Sequence, residues 1–146
     1  MAVFFYEEGV RARLKDRLRL KRFLKDNIVA RYLPAVSKMD ITYIFCDDAY
    51  LLQINQDFLR HDTYTDIITF DLSEEAQHLQ AEIYISVTRI AENAQQFNTS
   101  YERELHRVIF HGLLHLCGFK DKTKKDAALM RGGEEECLTQ YFDNEA

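Results

Sequence analysis

Tryptophan is absent from this chain, proline occurs once and glycine five times in 146 residues. So few breakers leave no room for Pro- or Gly-rich linkers, and no internal repeat is visible. The length therefore points to a single domain over residues 1–146 with one core. No run of about 18 apolar residues occurs, which excludes a membrane-spanning helix and a membrane partner. The start, MAVFFYEEGV, passes from a short apolar stretch directly into acids. A secretory leader wants a basic start and a longer apolar run, so a cytoplasmic protein is expected. Cysteine is sparse and odd in number (Cys46, Cys117, Cys137) with no C-x-x-C pair. That pattern reads as buried thiols in a reducing compartment rather than a disulfide framework.

What the chain does contain is 47% hydrophobic and 29% charged residues, the balance of a folded globular protein. The net charge of −5 argues at first against a nucleic-acid partner. Its distribution is polarised, however. Residues 11–25 carry eight of the 19 basic side chains and one acid, Asp16, so that segment is +7 and the remainder −12. A patch of this kind can hold a phosphate backbone locally. A solvated basic helix face is the plainer reading of composition alone.

Hydrophobic periodicity outlines the elements. Residues 3–6 read as a short strand, and 10–15 alternate apolar and charged with the strand period. Asp16 is expected to cap a helix to about Tyr32, ended by Pro34. Residues 39–46 (MDITYIFC) read as a strand, and Asp47 caps a second helix to about Leu59. A polar connection at 60–65 leads to strands at 66–72 and 81–87, with 73–80 between them as a loop. Helices follow at 88–97, at 101–117 behind the cap Ser100, and at about 124–142, where Gly132-Gly133 threatens a break. The fold class expected is α+β: a small mixed sheet packed by four or five helices.

The chemistry concentrates in HGLLHLCGFKD, residues 111–121. His111 and His115 are four apart, so on a helix they share one face with Cβ atoms ~5–6 Å apart, within reach of one ion. Gly118 can adopt the positive φ that stops a helix and turns the chain back. Asp121 then returns towards the same ion, giving three protein ligands and an open position for water. Cys117 lies ~200° round the helix from His115 and points away from that face. The spacing is that of the zincin-like frame H-E-x-x-H-x-x-G-x-x-H, with Gly112 in place of the catalytic Glu and Asp121 in place of the third His. Asp66 is either an acceptor that orients a ligating His or a strand-start cap. Met130 reads as core filler, Glu82 as structural, and Glu134, Glu135 and Glu136 as a solvated helix face.

This stretch resembles the H-G-x-L-H-L-x-G-[YF]-D-H signature of the YbeY family of bacterial rRNA maturation factors. Ile54-Asn55 through Thr65-Asp66-Ile67-Ile68-Thr69-Phe70 is similar to the family's L-N-x-x-Y-R…T-D-V-L-S-F. Ala81-Glu82-Ile83 with Ile85-Ser86 is similar to its G-D-I-x-I-S. The resemblance extends over roughly residues 40–140. It implies a zinc-dependent endoribonuclease acting on single-stranded RNA, not DNA, in 16S rRNA 3′-end maturation and ribosome quality control on the small subunit. The nucleophile implied is a water activated by one Zn²⁺ ion held by His111, His115 and Asp121. Arg60 and His61 are the candidate phosphate contacts, and Arg17, Arg19 and Arg22 the candidate RNA-binding residues. Two other classes fit the frame: a zincin-like metallopeptidase, which the missing Glu disfavours, and a non-catalytic ribosome-associated module with a structural metal.

Overall fold

The computed structural model describes residues 2–59 and 65–143, except for the side chain of Leu59. Four strands form one mixed sheet in the order β1-β2-β4-β3. They are β1 (Ala2–Glu7), β2 (Lys38–Cys46), β3 (Ile67–Asp71) and β4 (His78–Ser86). β1 runs parallel to β2 and β2 parallel to β4, with the central ladder extending from Lys38↔His78 to Cys46↔Ser86. β3 pairs antiparallel with β4, from Ile67↔Ile85 to Asp71↔Ala81. β4 thus begins three residues earlier than expected, because residues 78–80 extend the ladder with β2 instead of remaining in the turn.

The strands alternate because one face lies on the core. Met39, Ile41, Tyr43 and Phe45 of β2 and Leu79, Ala81, Ile83 and Ile85 of β4 are all buried. Five helical segments cover the sheet. α1 (Arg17–Phe23) continues through wider π turns (Leu24–Val29) to a short end at Ala30–Tyr32. α2 (Asp48–Ile54) also runs on into π turns, Asn55–Leu59. It caps a smaller cluster on the opposite face, around Cys46, Leu51 and Ile68. α3 is Val87–Gln96, α4 Tyr101–Leu116 and α5 Lys124–Leu138, the last continuing through Thr139–Asp143. The caps at Asp47 and Ser100 form as expected, accepting from the backbone N–H of Tyr50 and Arg103. None of the described helices is long and apolar enough to cross a membrane.

Two expectations near the N-terminus are corrected. Residues 11–16 form no strand. Their alternation is real, with Ala12 and Leu14 buried, but no neighbouring strand supplies a ladder. The Ala12 N–H donates instead to Glu7 Oε2 at 2.6 Å, and its carbonyl accepts from the Tyr101 hydroxyl at 2.8 Å. Asp16 precedes α1 but does not cap it with its side chain; it sits in the left-handed region at φ 52°. Gly132-Gly133 does not break α5. A β-carbon at 133 would stand 3.1 Å from Phe119 and 3.2 Å from Leu114, so the glycine is there for close approach of α5 to the end of α4.

At the far end of α4, His106 is buried with its Nδ1 2.7 Å from the Glu102 carbonyl, to which it donates. Its ring lies among Tyr141, Phe142 and Phe110. Burial pushes its pKa down, against the pull of the Glu102 carbonyl. The unfolded chain then binds this proton more readily than the folded one. Stability from this group is full above pH ~6.5 and is lost as pH falls towards the lower folded value. In urea titrations the stability of wild type relative to His106→Phe is expected to fall between pH 7 and pH 5, with a slope of at most about 1.4 kcal/mol per pH unit. A difference independent of pH would show that His106 titrates alike in both states.

Candidate metal centre

Helix α4 is held in place by its apolar residues: Leu105, Val108, Ile109, Phe110, Leu113 and Leu114 are buried in the core. Gly112 lies between them at the closest approach to β3 and β4. A β-carbon there would stand 2.9 Å from Ile67 Cδ1 and 3.0 Å from Ile83 Cγ2. The helix stops at Gly118, whose φ is 103°. The Gly118 N–H bonds the His115 carbonyl and the Phe119 N–H the Leu114 carbonyl, both at 3.1 Å, the paired bonds of a Schellman turn. That turn brings Asp121 back beside α4, where its Oδ2 lies 3.5 Å from His111 Nε2.

The other ring nitrogen of His111 is held from α5. Nδ1 donates to Glu134 Oε2 at 2.7 Å. Glu134 is only 7% exposed, not part of a solvated acidic face as its neighbours in sequence imply. Its second oxygen accepts from Arg107 at 3.3 Å, and Arg107 also binds Glu135 at 2.5 Å and Glu104 at 3.4 Å. Burial pulls the His111 pKa down, but the Glu134 hydrogen bond and charge, with Asp66 and Asp121, outweigh it and the net shift is up. The carboxylate that orients His111 is therefore Glu134. Asp66 stands nearby at the start of β3 and acts on His111 through its charge, while burial pushes its own pKa up.

This arrangement suits a metal ligand. Metal-bound imidazoles donate the remaining ring N–H to a carboxylate, which fixes the tautomer and leaves the other nitrogen basic. Two donors bound at ~2.0–2.1 Å to one tetrahedral ion stand about 3.4 Å apart. The 3.5 Å between His111 Nε2 and Asp121 Oδ2 is of that size. His115 is exposed and lines one recess together with Asp121, Lys120 and Lys122. Among the described residues no three His, Cys, Asp or Glu side chains are already gathered as ligands. The thiols stand apart from this chemistry. Cys117 is half-buried rather than buried, and burial pushes Cys46, Cys117 and Cys137 each up to about 12.

A family model described as Endoribonuclease YbeY matches residues 12–142. The chain belongs to that family. A relative of that name from Cytophaga hutchinsonii is 45% identical over 137 residues, covering 94% of both chains. One from Porphyromonas gingivalis is 50% identical over 135 residues, covering 92% of this chain and 86% of that one. Another, from Christiangramia forsetii, is 58% identical over 102 residues, 70% of this chain and 71% of its own. The solution structure of TM1509 from Thermotoga maritima superposes with a TM-score of 0.58 at 26% identity, covering 99% of this chain and 94% of that one. The YbeY match thus extends beyond the histidine motif to β2, β3 and β4 and to α5, which carries Glu134.

Other expected contacts fare differently. Arg60 and His61 lie outside the described residues. Arg17 is half-buried, near the Phe5 ring and 3.6 Å from Glu7. Arg19 lies over the Tyr141 ring and donates to the Tyr141 carbonyl. Both are thus engaged in holding the fold together, whereas Arg22 is exposed. Lys120 and Lys122, which sequence reasoning passed over, flank Asp121 in its recess. Their signal was simple: two cations on either side of a candidate ligand.

Proposed function

We propose that the chain is a metal-dependent endoribonuclease of single-stranded RNA, acting in 16S rRNA 3′-end maturation and ribosome quality control. The observation that carries this reading is the double hold on His111, with Glu134 on Nδ1 and Nε2 turned to Asp121. His111, His115 and Asp121 would hold one divalent ion, and imidazole with carboxylate suits Zn²⁺. An ion so bound supplies Lewis acidity, polarising a phosphoryl oxygen and lowering the pKa of water enough for attack near neutral pH. Glu134 keeps the His111 ring in one tautomer and one orientation. Lys120 and Lys122 offer ammonium groups to the phosphates on either side of the cut.

A peptidase needs a general base on the helix between the histidines. Position 112 carries none, and a glutamate there would have to displace Ile67 and Ile83, which a β-carbon alone would approach to 2.9 and 3.0 Å. A closed structural site needs a fourth protein ligand, and Glu134 already spends its two oxygens on His111 and Arg107. The test is cleavage of single-stranded RNA by the full chain with and without chelator, restored by Zn²⁺. Asp121→Ala should lose both the ion and the activity. Metal-independent cleavage, or metal uptake unchanged in Asp121→Ala, overturns the reading.

Basic residues 11–25 supply a further, sequence-tolerant hold on RNA through the exposed Arg11, Lys15, Arg22 and Lys25; Arg13, also exposed, lies over the Tyr101 ring. Changing these four to Gln is expected to weaken RNA binding and flatten its log–log salt slope by about 0.7 for each phosphate left without its cation. Arg19→Ala should instead lower the melting temperature. An unchanged salt slope in the fourfold variant returns the segment to a solvated surface.

A further inference from the structure

A cavity of about 250 Å³ opens beside His111, between α3, α4, the start of β3 and α5, which contributes Arg131 and Glu134. Asp66, Asn93, Phe97, Glu104, Arg107 and His111 are among its walls. Phe97, at the end of α3, is 59% exposed, so a phenyl face stands at the mouth without a core role to explain it. Glu104 and Arg107 are turned to each other, 3.4 Å apart, and Arg107 is further held by Glu134 and Glu135. Asp66 differs. Its half-buried carboxylate lies within reach of the His111 and Arg89 charges, and among the described residues no other side chain forms a hydrogen bond or ion pair with it. The half-buried Asn93 amide offers a donor and an acceptor across the same space.

The walls thus combine an aromatic face, a carboxylate acceptor and an amide, with one wall shared with His111. Single-stranded RNA is read by stacking unpaired bases on aromatic side chains and bonding their Watson–Crick edges. A carboxylate accepts best from two adjacent N–H groups, and guanine is the base that presents them, at N1 and N2. Its neighbouring O6 accepts, and an amide N–H can meet it. We propose that this cavity is a base-reading subsite for guanine, with Asp66 on N1–H and N2–H, Asn93 on O6 and Phe97 stacked at the mouth. The base in this subsite belongs to the nucleotide next to the bond cut at His111. The proposal rests on the endoribonuclease reading for that last placement only; the subsite itself is a matter of affinity.

The test uses the full chain and fluorescein-labelled U-rich hexamers carrying one central guanosine, inosine or adenosine, with anisotropy read both with and without chelator. Inosine lacks the 2-amino group, so it isolates the paired donors. Guanosine is expected to bind roughly 5- to 150-fold more tightly than adenosine, the discrimination of one bidentate base contact, with inosine in between. Asp66→Asn and Asn93→Ala should collapse the ratio, and Phe97→Ala should weaken binding of all three; Phe97 is exposed, so that change does not threaten the fold. Equal affinity for the three hexamers, or a ratio unchanged in Asp66→Asn and Asn93→Ala, overturns the subsite. Cleavage of the same hexamers separates the two ideas. RNA cut with no base preference removes the subsite and leaves the nuclease standing. A guanosine preference in binding with no cleavage under any metal supports the subsite and removes the nuclease.

Discussion

Replacing Glu134 by alanine is expected to weaken divalent-ion binding by about 10- to 100-fold and to lower RNA cleavage by a similar factor. The reason lies in what Glu134 does to His111. Its Oε2 accepts the Nδ1–H at 2.7 Å, which fixes the tautomer with Nε2 free and raises the basicity of that nitrogen. Without it the ring can rotate, and its pKa loses the largest of the contributions that together outweigh burial. Glu134→Gln should fall between wild type and alanine, since an amide oxygen still accepts but carries no charge. Glu136→Ala is the control. That side chain pairs with Arg31 on the surface, and such pairs contribute about 0–1 kcal/mol. Competition with a chromophoric chelator measures the affinity, and circular dichroism checks the fold. Wild-type affinity in Glu134→Ala would show that the hydrogen bond to His111 has no bearing on the ion.

Gly112→Ala is expected to cost ~1–3 kcal/mol, the usual penalty for forcing an extra methyl group into a packed interior. For a chain near 150 residues that corresponds to about 2–4 °C of Tm for each kcal/mol. The obstacles are Ile67 Cδ1 at 2.9 Å and Ile83 Cγ2 at 3.0 Å, one from β3 and one from β4. Ile83 is fully buried and cannot swing away. Gly112→Glu, which recreates the peptidase frame in sequence, should fail to fold at all and so gain no protease activity. Thermal melts of Gly112→Ala decide the matter, and a melting temperature equal to wild type would show that α4 slides to make room.

Much of this was legible in the residues. The histidine spacing, the helix stop at Gly118 and the return of Asp121 follow from helical geometry, and 3.5 Å between His111 and Asp121 is the result. The strands β2 and β4 announced themselves by alternation. Glu134 was hidden by its neighbours, since three successive glutamates look like a solvated face. The signal was nonetheless there: Glu134 is four residues beyond Met130 and three before Cys137, both buried, so it occupies the apolar stripe of α5. An acid in such a stripe requires a partner. Residues 10–15 misled for a different reason. Alternation reports which side chains are buried, not whether another strand lies alongside, and here side chains of Glu7 and Tyr101 take the place of a ladder. Asp16 was unreadable in the same way, because a carboxylate before a helix looks alike whether it caps or simply takes a left-handed turn.

The bond from Glu134 to His111 also joins two helices that are otherwise separate in sequence. Detaching α5 from α4 would release His111, and an ion on His111 must in turn oppose that detachment, because linkage acts equally in both directions. Helix docking and ion uptake are therefore one equilibrium seen from two ends. Backbone amides of α5 should exchange with deuterium more slowly as the ion is added, in proportion to its occupancy.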